Sequence, residues 1–116
     1  MIVVEYAPEP EEGEEPQKPK LYRLVNPEIA KASETTEFGA EGCLSIPGYA
    51  GEVERFTAVT VKGLNWQGKP VKVKAEGWLA RIFQHEIDHL DGVLFIDRAT
   101  RVWKMREEDE TRTMRD

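Results

Sequence analysis

Gln84-His85-Glu86-Ile87-Asp88-His89-Leu90-Asp91-Gly92 decides how the rest of the chain is read. The pattern predicts a helix from about Glu76 to Leu90, closing near Asp91-Gly92, where a glycine stands in its usual C-terminal place. Residues four apart lie one turn apart on the same helix face, so the imidazoles of His85 and His89 reach toward one metal ion. Glu86 then stands where it accepts a proton from water at that ion. These are the only two histidines in the chain. A lone histidine on an apolar face is most simply a core residue with a satisfied ring. Two in this register with a glutamate between them favour a metal site.

At about 100° per residue, one broad arc of the helix carries His85, Trp78, His89, Ile82, Glu86, Leu79, Leu90, Phe83 and Ile87. The opposite arc carries Ala80, Asp91, Gln84, Gly77, Asp88 and Arg81. Both histidines and Glu86 thus fall on the apolar side, which suits a metal packed against a sheet. Asp88 and Arg81 fall on the polar side, where structural ion pairing is the expectation.

His-Glu-x-x-His serves several metallohydrolase classes, and the third ligand separates them. A metzincin-type histidine would stand three residues beyond Gly92, where this chain has Phe95. A thermolysin-like glutamate would be Glu107 or Glu108, yet both sit in a charge run most simply read as solvated. The remaining candidate is Cys43, within Glu41-Gly42-Cys43-Leu44-Ser45-Ile46-Pro47-Gly48. Its plain reading is a small buried hydrophobe. Its other reading is a thiolate in a tight glycine-bounded loop. With two imidazoles that makes three protein ligands and an open fourth position, the mark of a catalytic site.

Outward from the helix, Ile2 to Tyr6, Leu21 to Val25, Phe56 to Val61 and Lys69 to Ala75 read as strands. Asn26-Pro27 is expected to halt the second, and Leu64 to Gly68 to join the last two as a hairpin connection. Residues 7–20 are Pro- and Glu-rich and read as a mobile acidic loop, with an acidic docking site as the lesser alternative. Glu37 to Gly51 is dense in glycine. Val93 to Ile96 is a short apolar run, and residues 99–116 form a charged tail, either a terminal helix or frayed.

The chain has 116 residues, expected to form one domain, residues 1–116. Sixteen basic and 22 acidic residues give a formal charge of −6, which speaks against a nucleic-acid or anionic-membrane binder. No apolar run approaches a membrane span and Met1 opens no signal-peptide pattern, so the cytoplasm is the expected compartment. A lone cysteine in that setting reads as a reduced thiol.

Glu41-Gly42-Cys43-Leu44-Ser45 and Gln84 to Gly92 resemble the E-G-C-L-S and Q-H-E-x-D-H-L-x-G motifs of the peptide deformylase family, in the same order. The likeness runs from Ile2 to about Arg98. It implies an α+β fold, with antiparallel strands packed around one central metal-binding helix. It implies removal of the formyl group from N-terminal formylmethionine of nascent peptides, a step of N-terminal methionine processing. It implies Cys43, His85 and His89 as metal ligands. Ferrous iron is the usual ion of the family, with zinc, nickel or cobalt as alternatives. Glu86 would be general base and then general acid, with the Leu44 backbone N–H and the metal stabilising the oxyanion. Gly42 and the strand at Glu41 would align the peptide, Ile82 would line the methionine pocket, and Arg55 would stand near the peptide exit. A solvated strand flank is the plainer reading of Arg55. The implied partners are the formylated peptide and, beyond it, the ribosome or nascent chain.

The family's third motif, G-x-G-L-A-x-x-Q, and its N-terminal helix have no counterpart here. The glutamine normally donates its side-chain amide to the oxyanion, and loss of one such donor costs roughly 10²–10³ in turnover. Gln84, about 160° around the helix from Glu86, is no substitute. The expectation is an apolar patch needing a partner, either a second copy or a complementing N-terminal fragment. Three accounts fit. The chain is a fragment or has a wrongly assigned start, is half of a split enzyme, or is a short homologue of weak or lost activity that acts through binding.

Overall fold

A computed structural model describes residues 1–7, 12–15, 18–43 and 46–104, the side chains of Cys43 and Ile46 excepted. Parts of the acidic loop (8–11, 16 and 17), Leu44, Ser45 and the tail from 105 onward lie outside the described residues.

Among the described residues nine elements follow in order. They are β1 (Ile2–Tyr6), β2 (Lys20–Ala32), β3 (Thr36–Cys43), β4 (Ile46–Phe56), β5 (Ala58–Leu64), β6 (Pro70–Glu76), α1 (Gly77–Leu90), α2 (Phe95–Arg98) and β7 (Arg101–Lys104). The strands form two antiparallel sheets, ordered β1-β2-β5-β6 and β3-β4-β7. The α1 helix touches strands of both. This is the expected α+β arrangement around one central helix.

The four-stranded sheet follows from alternation. In β1, Ile2 and Val4 are buried while Val3 and Glu5 are exposed. In β5, Val59 and Val61 turn inward, opposite Ala75 and Val73 of β6. Side chains of period two put one row against the core. That row packs on Leu79, Ala80, Phe83 and Ile87 of α1. The Tyr22 ring meets the Phe83 ring edge-on at 5.4 Å. A second, smaller core joins Val53 of β4 to Phe95 of α2, with Ala99 beside them. Gly51 makes that contact possible, since a Cβ there would lie 2.8 Å from Ala99 Cβ.

Two expectations need correction. Asn26-Pro27 does not end β2, which runs for 13 residues. The pair forms a bulge instead, with Asn26 at φ 51° and the register shifting between Val25 and Glu28. Proline has no N–H to give a ladder, and a bulge is where a strand tolerates that. Gly63 lies beneath, where a Cβ would come 3.0 Å from the Val25 carbonyl oxygen. The segment from Glu41 to Gly48, expected as a tight loop around Cys43, is likewise not all loop, because Glu41 to Cys43 and Ile46 to Gly48 belong to the paired strands β3 and β4. The start of the charged tail pairs as β7 against Tyr49–Glu52. The hairpin joining β5 and β6 is as expected, with the Asn65 side chain accepting from the N–H groups of Gln67 and Lys69.

Candidate metal centre

The α1 helix begins at Gly77, whose N–H donates to Thr57 at 2.8 Å and whose φ of 60° suits glycine. It ends at Leu90, with Gly92 at φ 77° beyond it. Leu79, Ala80, Arg81, Phe83, Gln84, His85, Ile87 and Asp88 are all buried. The predicted polar arc is therefore not an outer face. Its Arg81, Gln84 and Asp88 are turned toward the β3–β4 sheet and paired there, while Asp91 stays exposed.

His85 is 1% exposed, and its ring centroid lies 4.5 Å from that of His89. Its Nδ1 lies 2.9 Å from Oε1 of Glu41, on β3. An ionised carboxylate only accepts, so in the neutral ring Nδ1 carries the proton and Nε2 keeps its lone pair. That Nε2 is buried and has no hydrogen-bond partner among the described residues. An unsatisfied buried polar atom costs about 1–3 kcal/mol. A cation at Nε2 removes that cost, and a carboxylate behind a ligating histidine is the usual support for one. Burial foremost, then the neighbouring His85, lowers the pKa of His89, which favours the neutral ring that ligation requires. The two imidazoles therefore fit a metal. Among the described residues no third His, Cys, Asp or Glu completes a cluster. Cys43 ends β3, two residues beyond Glu41, and its side chain lies outside the described part.

Glu41 is fully buried and accepts from three sides. Arg55 grips it with Nε at 2.9 Å and Nη2 at 2.7 Å, while Arg81 Nη1 and His85 supply the others. Burial alone would raise its pKa. The Arg55 and His85 bonds outweigh burial and lower it from 4.5 to about 2. Arg81 also donates to the Val53 and Glu37 carbonyls at 3.1 and 2.9 Å. Asp88 holds Arg55 from the other side and is itself clasped by Arg98 of α2, at 2.6 and 2.9 Å.

The expected peptide-exit role of Arg55 is corrected by this arrangement. Arg55 is 4% exposed, with its guanidinium shared between Glu41 and Asp88. The Glu41 side chain likewise faces inward rather than toward a peptide. Arg81 and Asp88 are ion-paired as expected, although inside the protein. Gly42 is buried within β3, opposite Ala50. Ile82 and Glu86 are partly exposed, one turn apart. Leu44 lies outside the described residues.

Gln84 and Arg98 were not anticipated as parts of this site. Gln84 stitches α1 to β4, its Oε1 accepting from Phe56 N and its Nε2 donating to Phe56 O, each at 2.9 Å. Gln84 opens the motif of the helix, but its partner Phe56 comes from β4, and nothing in the local pattern marks Arg98, whose partner Asp88 comes from α1.

The profile of the family described as polypeptide deformylase matches residues 1–105. The peptide deformylase of Desulforudis audaxviator is 51% identical over 94 residues, covering 81% of this chain and 60% of the relative. That of Halothermothrix orenii is 57% identical over 82 residues, covering 71% and 53%. The Met-Ala-Ser-bound crystal structure of the class I type b peptide deformylase from Acinetobacter baumannii superposes with a TM-score of 0.70 at 41% identity, covering 83% of this chain and 60% of that one. The chain thus spans a little over half the length of these two curated relatives. With the metal-ready histidine pair standing on a fold shared at this level of identity, the chain belongs to the polypeptide deformylase family.

Proposed function

We propose that this chain carries a metal-dependent hydrolytic site that removes the formyl group from N-terminal formylmethionine of nascent peptides. The observation that supports this most directly is His85, buried, fixed through Nδ1 by Glu41 and offering an unpartnered Nε2 beside His89. Cys43, His85 and His89 would hold the ion. Ferrous iron is favoured by the family, while zinc, nickel and cobalt suit the same donors. A bound divalent ion supplies Lewis acidity toward a carbonyl and makes water easier to deprotonate.

The remaining work falls to the chain's own groups. Glu86 takes the proton from the attacking water and returns it to the departing amine, so water and formamide become formate and a free amino terminus. The Leu44 N–H donates to the oxygen that gains charge. The β3 strand stands at the edge of its sheet, so the backbone at Glu41 and Gly42 offers pairing to an extended peptide. Ile82, one turn before Glu86, lines the methionine side chain. The Met-Ala-Ser peptide bound by the A. baumannii relative supports a substrate of that form. No helix among the described residues is long and apolar enough to cross a membrane. The reading places the activity in the cytoplasm, on chains leaving the ribosome.

Formate release from formyl-Met-Ala-Ser tests this, with the chain prepared anaerobically in ferrous iron or nickel beside Glu86→Ala. Turnover that disappears in the variant supports the reading. Absence of turnover with one metal bound per chain overturns it in favour of a fragment of a longer enzyme or an inactive homologue.

A further inference from the structure

We infer that Arg98, on the short helix α2, is a positioning residue for the metal ligand His85, acting through a chain of alternating charges. The inference rests on the metal reading above and extends it to a residue that touches neither ligand. Arg98 clasps both oxygens of Asp88, with Nε to Oδ2 at 2.6 Å and Nη2 to Oδ1 at 2.9 Å. Oδ2 of Asp88 also accepts from Nη1 of Arg55 at 2.5 Å. Arg55 turns its other two nitrogens onto both oxygens of Glu41. Oε1 of Glu41 then accepts from Nδ1 of His85. The Arg98–Asp88 and Arg55–Glu41 links are each held at two points, the Arg55–Asp88 link shares Oδ2 with Arg98, and the His85 link shares Oε1 of Glu41 with Arg55, so rotating one member displaces its neighbour.

Arg98 is the sole member of this chain at the solvent boundary. Its side chain is 48% exposed, against 11% for Asp88, 4% for Arg55 and none for Glu41. The inner members are strongly buried, and removing one strands its partners and damages the fold. Arg98 can be changed without opening a hole in either core, yet it fixes the Asp88 carboxylate against which Arg55 is set. A planar fork on both carboxylate oxygens sets orientation in a way that a point charge cannot.

Cobalt supplies a test independent of turnover. Binding is measured by competition with a chromophoric chelator, together with the visible ligand-field bands, for the full chain and for Arg98→Ala, Arg98→Lys and Arg101→Ala. Arg101 neighbours Arg98 in sequence but meets Glu52 only at 3.5 Å and takes no part in the chain of contacts. Partners behind metal ligands typically contribute about 10–100-fold in affinity. Arg98→Ala is expected to weaken cobalt binding about tenfold and to shift the bands. Arg98→Lys should fall between it and the parent chain, and Arg101→Ala should match the parent. Thermal unfolding of the metal-free chains separates this from a merely structural role, which would lower the melting temperature and leave affinity and bands alone. Unchanged affinity and bands in Arg98→Ala overturn the inference while leaving the metal site standing. Should that variant not fold, an unchanged Arg98→Lys overturns it equally. A parent chain that binds no cobalt overturns both this inference and the metal reading.

Discussion

Gly39 of β3 lies directly against the Arg81 guanidinium of α1, so closely that a Cβ at position 39 would come 2.8 Å from Arg81 Cζ. The missing side chain is what lets Arg81 reach past the strand to Glu41, Val53 and Glu37. Gly39→Ala is expected to push the guanidinium aside and to destabilise the protein by about 1–3 kcal/mol, the usual cost of overpacking. Urea unfolding of the metal-free chain checks this. A midpoint equal to that of the parent would show that Arg81 relaxes without cost.

Glu41→Gln removes the negative charge on which Arg55, Arg81 and His85 converge. Breaking a buried pair from one side costs about 3–5 kcal/mol. Its loss behind a metal-binding imidazole weakens affinity about 10–100-fold. Both effects are expected together, read by chemical denaturation and by metal competition. Lost stability with unaltered affinity would show that the carboxylate serves the fold and not the imidazole.

Acid should unfold the metal-free chain through the same residue. The Glu41 pKa is depressed from 4.5 to about 2. A carboxyl depressed on folding stabilises the protein fully above its ordinary value, and the contribution drains away as pH falls toward the folded value. Stability is therefore expected to decline from about pH 4.5 to about pH 2, by on the order of 3 kcal/mol from this group. Glu41→Gln should flatten that part of the profile. A profile of equal slope in the variant would assign the acid sensitivity to other carboxyls.

Gln84→Ala should separate α1 from β4. It removes the acceptor for Phe56 N–H and the donor for Phe56 C=O, and each unsatisfied backbone group costs about 1–3 kcal/mol. Hydrogen exchange at Phe56 gives the local readout and is expected to rise in the variant. Unchanged protection there would mean that water replaces the amide without penalty.

The central helix and the histidine pair were legible in the sequence because their signals are local. A spacing of four and an apolar arc survive without knowledge of anything else in the chain. The strands β1, β5 and β6 were legible for the same reason, each alternating within its own few residues. The β3–β4 hairpin was not, because its glycines read as loop when taken alone. Gly39 and Gly51 are there to admit Arg81, Phe95 and Ala99, all supplied by later elements. Arg55 was misread because its burial is paid for by Glu41 and Asp88, and neither pairing leaves a mark at neighbouring positions. Asn26-Pro27 looked like a stop because a bulge and a strand end use the same residues, and only the partner strand tells them apart.

The seating of α1 between two sheets also ties occupancy of the site to survival of the fold. The helix has no side-chain cap at Glu76 and no acidic residue in its first turn, so little of its stability is its own. His85 keeps its orientation only while β3 stays docked, and β3 stays docked only while the helix is formed. An ion that favours the assembled arrangement therefore draws on the same free energy that holds the chain folded, and each tenfold excess of ion over its dissociation constant adds about 1.4 kcal/mol of resistance to unfolding. For this chain, filling the site adds to the resistance of the fold, on top of whatever stability the metal-free protein has.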